Sequence, residues 1–124
     1  MDLAKAFEEA AGATVRDVST PALARAAGLT DNPGFDLLAI YESGERRAIE
    51  VKGRAGTGDV EVSSNEWARA ANLRGGYWLY AVYDCATPAP RLSRVRDPFG
   101  TLLAKAKGSV LISVREVNDA AEVL

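Results

Sequence analysis

Two neighbouring segments decide the fold of this 124-residue chain: Gly34-Phe35-Asp36-Leu37-Leu38-Ala39-Ile40-Tyr41 and Arg46-Arg47-Ala48-Ile49-Glu50-Val51-Lys52-Gly53. Both are rich in strand-forming residues, and the four residues between them are typical of a turn, so the pattern predicts a β-hairpin. A three-residue loop that ends at Gly44 would use this glycine to close a type I turn with a bulge. The register set by that loop places Asp36 directly opposite Glu50.

Three charged side chains meet at the open end of this predicted hairpin. Because side chains alternate along a strand, Asp36, Glu50 and Lys52 lie on one face. Two carboxylates that face each other across strands destabilise the hairpin unless a positive charge compensates them. Lys52 can do so as an ordinary ion pair, and a divalent cation such as Mg²⁺ can do so through carboxylate oxygens. The residues alone leave both interpretations open.

The composition restricts the chemistry that the chain can perform. It has no histidine and one cysteine, which excludes histidine-dependent catalytic triads, histidine metal sites and cysteine-based zinc clusters. A single cysteine forms no internal disulfide, and the sequence has neither a signal peptide nor an apolar run of membrane-spanning length. We therefore expect a cytoplasmic protein with no membrane contact. The formal net charge of −2 argues against coating nucleic acid by bulk electrostatics but allows a local basic groove.

Helices and strands are predicted on both sides of the hairpin. The predicted helices cover residues 3–11, 22–27, 64–74 and 98–107, and the additional strands cover residues 13–18, 60–62, 77–83, 91–96 and 110–117. A hairpin joined through a crossover helix to a buried strand implies a mixed sheet. We therefore expect one α/β (α+β) domain over residues 1–124, with a mixed β-sheet flanked by helices on both faces.

The spacing from Asp36 to Glu50-Val51-Lys52 resembles the PD-(D/E)XK nuclease superfamily, whose α-β-β-β-α-β core is close to the predicted order. A wider set of segments is similar to the NO VEIN-type C-terminal domain, a family of largely undefined function within that superfamily. These segments fall in order between residues 5 and 115: Phe7-Glu8, Ala10-Ala11-Gly12, Asp17-Val18-Ser19, Gly34-Phe35-Asp36, Ile49-Glu50-Val51-Lys52-Gly53, Asn65-Glu66-Trp67 with Ala70, Tyr77-Trp78-Leu79-Tyr80 and Asp97-Pro98. The stretch between Ser19 and Gly34 is longer than the resemblance leads us to expect.

The resemblance implies a restriction-endonuclease-like fold and a Mg²⁺- or Mn²⁺-dependent DNA endonuclease. Asp36 and Glu50 would be metal ligands, and Lys52 would position or deprotonate the attacking water. Glu8 would be a helix-borne acid of the same site. The candidate DNA contacts are Arg54, Asn65 and Arg69. The implied partners are DNA and a helicase or another defence-system protein, and a homodimer is compatible with cutting both strands. The alternative is a non-catalytic module of the same fold that binds DNA or a protein.

Overall fold

The computed structural model describes residues 1–102, 105–107 and 109–122. Its helices are α1 (Asp2–Ala10), α2 (Pro21–Ala26), α3 (Ser64–Leu73), α4 (Pro98–Thr101) and α5 (Val114–Ala120), with a 3-10 turn over Arg74–Gly76. Its strands are β1 (Thr14–Asp17), β2 (Leu37–Ile40), β3 (Arg46–Gly53), β4 (Val60–Val62), β5 (Tyr77–Tyr83), β6 (Arg91–Arg96), β7 (Lys105–Lys107) and β8 (Ser109–Ile112). Within these residues, no helix combines the length and the apolar character needed to cross a membrane.

A five-stranded mixed sheet in the order β1-β2-β3-β5-β6 forms the centre of the fold. The predicted hairpin is confirmed, because β2 and β3 pair antiparallel with Leu37 opposite Ile49 and Ile40 opposite Arg46. Gly44 has a φ of +92° in the turn, as the three-residue loop requires. Strand β5 then pairs parallel with β3 after the crossover through α3. A smaller sheet in the order β4-β8-β7 packs against this one, since Val60 and Ile112 share a core with Leu79.

Apolar side chains cover both faces of the large sheet, which confirms the prediction of flanking helices. On one face, Ile49 and Trp78 pack with Ala4 of α1. On the other face, Tyr77 packs with Ala70 of α3. Since Glu50 and Lys52 alternate with Ile49 along β3, they point to the face that carries α3.

The C-terminal part of the chain differs from the prediction. The helix expected over 98–107 ends at Thr101, residues 105–107 form β7, and residues 103 and 104 lie outside the described part. The strand expected over 110–117 ends at Ile112, and α5 follows. The Ser113 side chain accepts a hydrogen bond from the Glu116 backbone N–H at 3.1 Å, which caps this helix. Val114 and Val117, three residues apart, pack on the same core, so a helical period prevails over β-branched strand propensity.

The loop before β2 approaches α3 most closely at Gly34 among the glycines of this loop. Its φ is +86°, and an added Cβ would lie 2.8 Å from the Cβ of Arg69. Gly28 also has a positive φ, of +80°, but an added Cβ would meet no atom within 4 Å. We expect Gly34→Ala to lower the free energy of unfolding by about 2–3 kcal/mol and Gly28→Ala by about 1 kcal/mol. Urea denaturation of both variants measures the difference, and equal losses would contradict the close approach.

Candidate functional site

Asp36 lies just beyond the paired part of the hairpin. The ladder ends at Leu37 and Ile49, one residue short of the predicted pairing of Asp36 with Glu50. The Asp36 backbone N–H donates to the Ile49 carbonyl at 2.9 Å, and the Asp36 Oδ2 accepts from the Val51 N–H at 2.9 Å. The Asp36 carboxylate therefore accepts a hydrogen bond that a backbone carbonyl would accept in a longer ladder. This bond fixes the carboxylate beside β3.

Glu50 is a nearly inaccessible carboxyl group, 3 % exposed. Burial, a hydrogen bond with Asp36 and the charge of Asp36 raise the pKa of Glu50 to about 10, against the opposing effect of Lys52. At neutral pH Glu50 therefore keeps its proton and holds it against Asp36. A cation that replaced this proton would relieve the repulsion between the two carboxylates.

Lys52 is held by two glutamates. Its Nζ lies 2.8 Å from Glu66 Oε1 and 3.4 Å from Glu50 Oε2. Burial alone would lower the pKa of Lys52, but the hydrogen bond to Glu66 and the charge of Glu66 raise it, and Glu50 adds its own charge once it has lost its proton. Lys52 is therefore an ammonium group, suited to positioning a water or a phosphate oxygen and not to removing a proton.

Glu66 is the site residue that the sequence analysis did not include. Its Oε1 accepts from the Ser63 N–H at 2.8 Å, and its own N–H donates to Ser63 Oγ at 3.2 Å, the capping box that begins α3. The same oxygen accepts from Lys52. The sequence indicates the capping box, but the contact of Glu66 with Lys52 depends on the packing of α3 against β3.

The carboxylates face an open cavity of about 420 Å³. Four acidic residues line it, and neither lysine nor arginine is among its lining residues. The acidic residues are Asp31, Asp36, Glu50 and Glu66. Such a cavity attracts cations and repels phosphate. A second cavity of about 390 Å³ lies next to it, lined in part by Lys52 and Arg54.

Glu8 does not join this site, contrary to the expectation from the resemblance. It is fully buried on the α1 face of the sheet, where Tyr80 Oη donates to it at 2.6 Å and Tyr41 Oη at 2.9 Å. Arg47 Nη1 lies 3.4 Å from its Oε2. The sheet separates it from Glu50, because Glu50 points to the opposite face.

The three predicted DNA contacts lie at different places around the site. Asn65 lines the acidic cavity. Arg54 is exposed and lines the second cavity beside Lys52. Arg69 is half-buried, and its Nε donates to the Pro33 carbonyl at 2.9 Å, so it anchors the loop before β2. Asn65 and Arg54 thus flank the site, whereas Arg69 supports its wall.

The donor set fits a cation that keeps most of its own water. Among the described residues, no group of three or more histidine, cysteine, aspartate or glutamate side chains is arranged to hold a metal ion. Asp36 and Glu50 form a pair of carboxyl groups in contact. Mg²⁺ is commonly held by one or two carboxylates, with waters and substrate phosphate oxygens as the other ligands. The pair therefore suits Mg²⁺ or Mn²⁺ better than Ca²⁺, which takes more protein oxygens.

Replacing either glutamate beside Lys52 with glutamine should change the free energy of unfolding, and the two changes should have opposite signs. The pKa of Glu50 is raised, so its contribution to stability is present below its ordinary value of 4.5 and is lost as the pH rises towards about 10. Without metal, Glu50→Gln should raise the free energy of unfolding at pH 8 by about 2 kcal/mol, with little effect near pH 4. The pKa of Glu66 is lowered because Lys52 and the Ser63 N–H outweigh its burial, so Glu66→Gln should destabilise the protein at pH 8. Urea titrations in a chelator measure both, and a shared sign would contradict this assignment.

The family model described as Protein NO VEIN, C-terminal, matches residues 5–95. The matched range contains most of α1, the hairpin, α3 and β5, and with them all candidate site residues. No curated protein and no solved structure matches the chain.

Proposed function

We propose that this chain, which belongs to the NO VEIN C-terminal family, is a Mg²⁺- or Mn²⁺-dependent DNA endonuclease domain of the PD-(D/E)XK type. The observation that supports it most is the buried contact of Glu50 with Asp36, next to Lys52, in an open acidic cavity. Two carboxyl groups in contact destabilise a fold, so their presence favours a functional role for the pair. The order α1-β1-β2-β3-α3-β5, with α2 inserted after β1 and the short β4 inserted after β3, also agrees with the α-β-β-β-α-β core of that superfamily.

Each residue of the site has a separate task in phosphodiester hydrolysis. A bound Mg²⁺ supplies charge neutralisation on the phosphate and a more acidic water. Asp36 and Glu50 would hold this ion, and the Val51 N–H keeps the Asp36 carboxylate oriented. Lys52 donates a hydrogen bond to the attacking water or to a phosphate oxygen. Glu66 fixes the ammonium group in place.

The acidic lining of the cavity bears on DNA binding. Because its carboxylates repel a DNA phosphate, a phosphate would be favoured there only with a divalent cation bound. DNA binding at this site should therefore depend on the metal. The neighbouring cavity has two cationic residues, Lys52 and Arg54, which would contact flanking phosphates, beside two acidic residues, Asp59 and Glu61. We place such an enzyme in the cytoplasm, in restriction, phage defence or helicase-linked DNA processing, with a helicase or another defence protein as partner.

Cleavage of supercoiled, linear and single-stranded DNA tests the proposal. Wild-type protein with Mg²⁺ or Mn²⁺ should cut at least one form, and Asp36→Asn should not. Asp119→Asn, on an exposed side chain of α5, is the matched control and should cut like the wild type. Cleavage that persists in Asp36→Asn or in a chelator would contradict the assignment.

The alternative is a non-catalytic module that binds DNA or a protein partner. One observation favours it: both glutamates near Lys52 already engage its ammonium group, as in a structural ion pair. A gel shift that survives both a chelator and Lys52→Ala, together with intact DNA of every form, would support this alternative.

A further inference from the structure

A third cavity, on the α3 side of the sheet, differs in chemistry from the acidic cavity and from the cavity beside Lys52 and Arg54. It has a volume of about 450 Å³ and a predominantly apolar lining. Its apolar lining residues include Leu29, Pro33, Phe35, Leu38, Ala48 and Leu73. Two arginines, Arg46 and Arg69, are the charged residues of this lining. A cavity of this size, apolar with a few polar groups at its edge, is typical of a small-molecule site.

The apolar cavity and the acidic cavity share a wall. Pro33 and Phe35 line both of them, and Asp36 follows directly in the chain. The wall is held in place, since Arg69 Nε donates to the Pro33 carbonyl and Tyr77 Oη donates to the Gly34 carbonyl at 2.7 Å. A ligand that occupies the acidic cavity therefore has the apolar cavity within reach across one short, fixed segment.

The opposite side of the apolar cavity comes from the long stretch between Ser19 and Gly34. Gly28, Leu29 and Thr30 of this stretch line the cavity, and Leu29 packs with the core beneath α2 and α3. The part of the sequence that is longer than expected thus forms part of the wall of an apolar cavity beside the candidate catalytic groups.

We propose that the apolar cavity receives one unstacked nucleobase of the DNA strand whose phosphate lies at Asp36 and Glu50. This inference rests on the proposed endonuclease function and names its substrate class: single-stranded DNA, or duplex DNA in which one base has left the stack. A phosphate and its own base are joined by one sugar, which suits two cavities that share a wall.

The chemistry of the cavity matches that ligand. A base is a flat apolar ring system with polar edges, and apolar side chains stabilise its faces. The exposed guanidinium of Arg46 at the cavity edge can donate to acceptor atoms of the base or to a flanking phosphate. A polyanion also complements two arginines better than an apolar peptide does.

An abasic-site scan tests the proposal with binding alone. The probe is a short phosphorothioate single strand that resists cleavage, measured with Mg²⁺ as a series in which one base at a time is missing. We expect one abasic position to weaken binding by about tenfold or more, because loss of one stacked base commonly has an effect of this size. Binding that falls less than twofold at every position would overturn the base pocket.

Two surface leucines provide the matched variants. Leu73 lines the cavity and is 39 % exposed, whereas Leu23 does not line it and is 41 % exposed. Leu73→Glu should bind the complete strand as weakly as the wild type binds the critical abasic strand, and Leu23→Glu should behave like the wild type. If Leu73→Glu keeps the full affinity, the base pocket is wrong while the endonuclease proposal stands. If no strand binds with or without Mg²⁺, the base pocket is wrong, and cleavage of supercoiled and linear DNA then decides the endonuclease proposal separately.

Discussion

Lys52→Ala should lower the rate of metal-dependent DNA cleavage by at least about 100-fold. The reason is that the ammonium group, held between Glu50 and Glu66, is the one cation that contacts the carboxyl pair in the described residues. Metal binding should survive, because both carboxyl ligands remain. The measurements are the initial cleavage rate and the increase in melting temperature on addition of Mn²⁺.

Lys5→Ala provides the control for Lys52→Ala, since Lys5 lies on α1 at the other face of the sheet. It should cleave at the wild-type rate. A Lys52→Ala protein that cleaves within about threefold of the wild type would show that the ammonium group has only a structural role. The raised pKa of Lys52 also predicts the pH dependence of cleavage. The cleavage rate should not decline at high pH until this ammonium group loses its proton.

Glu8→Ala should destabilise the protein by about 3 kcal/mol. Glu8 is fully buried and accepts from Tyr41 and Tyr80, with Arg47 as its ionic partner. Removing one partner of a buried charged network leaves the others without compensation. Burial and the interaction with Glu8 together raise the pKa of Tyr41 to about 12, so this pKa should also fall in the variant. Chemical denaturation and the ultraviolet absorbance of tyrosinate measure the two effects.

Glu9→Ala is the neighbouring control, because Glu9 is exposed on the same helix. It should change the free energy of unfolding by less than about 0.5 kcal/mol. Folded Glu8→Ala protein should retain metal-dependent cleavage. A stable Glu8→Ala protein without cleavage would restore Glu8 to the catalytic site and contradict its placement on the α1 face.

The sequence predicted the hairpin and the placement of Glu50 and Lys52 on one face because both depend on local rules. Turn chemistry at Gly44 sets the register, and strand alternation then places Glu50 and Lys52 on one face. The same rules predicted wrongly that Asp36 pairs with Glu50. The paired ladder ends at Leu37, and the Asp36 carboxylate accepts a hydrogen bond from the Val51 N–H. Side-chain alternation does not describe a residue that has left the ladder.

Sequence patterns did not predict the contacts between elements that lie far apart along the chain. Glu8 lies near the edge of an apolar helical stripe, which is compatible with either face of the sheet. Its assignment depended on how α1 crosses the sheet and on Tyr80, which is 72 residues away. Glu66 could be read as a cap, but its bond to Lys52 requires the packed position of α3. In α5, the cap at Ser113 outweighed the strand propensity of two valines.

The measurement that tests the central claim most directly is a calorimetric titration of Mn²⁺ into the wild type and Asp36→Asn at pH 7.5. If Asp36 and Glu50 form the cation site, the wild type and the Asp119→Asn control should bind Mn²⁺ with a saturable heat. Asp36→Asn should show none, and the wild-type affinity should rise with pH as Glu50 releases its proton. Equal binding by Asp36→Asn and the wild type, or no binding by either, would contradict the claim.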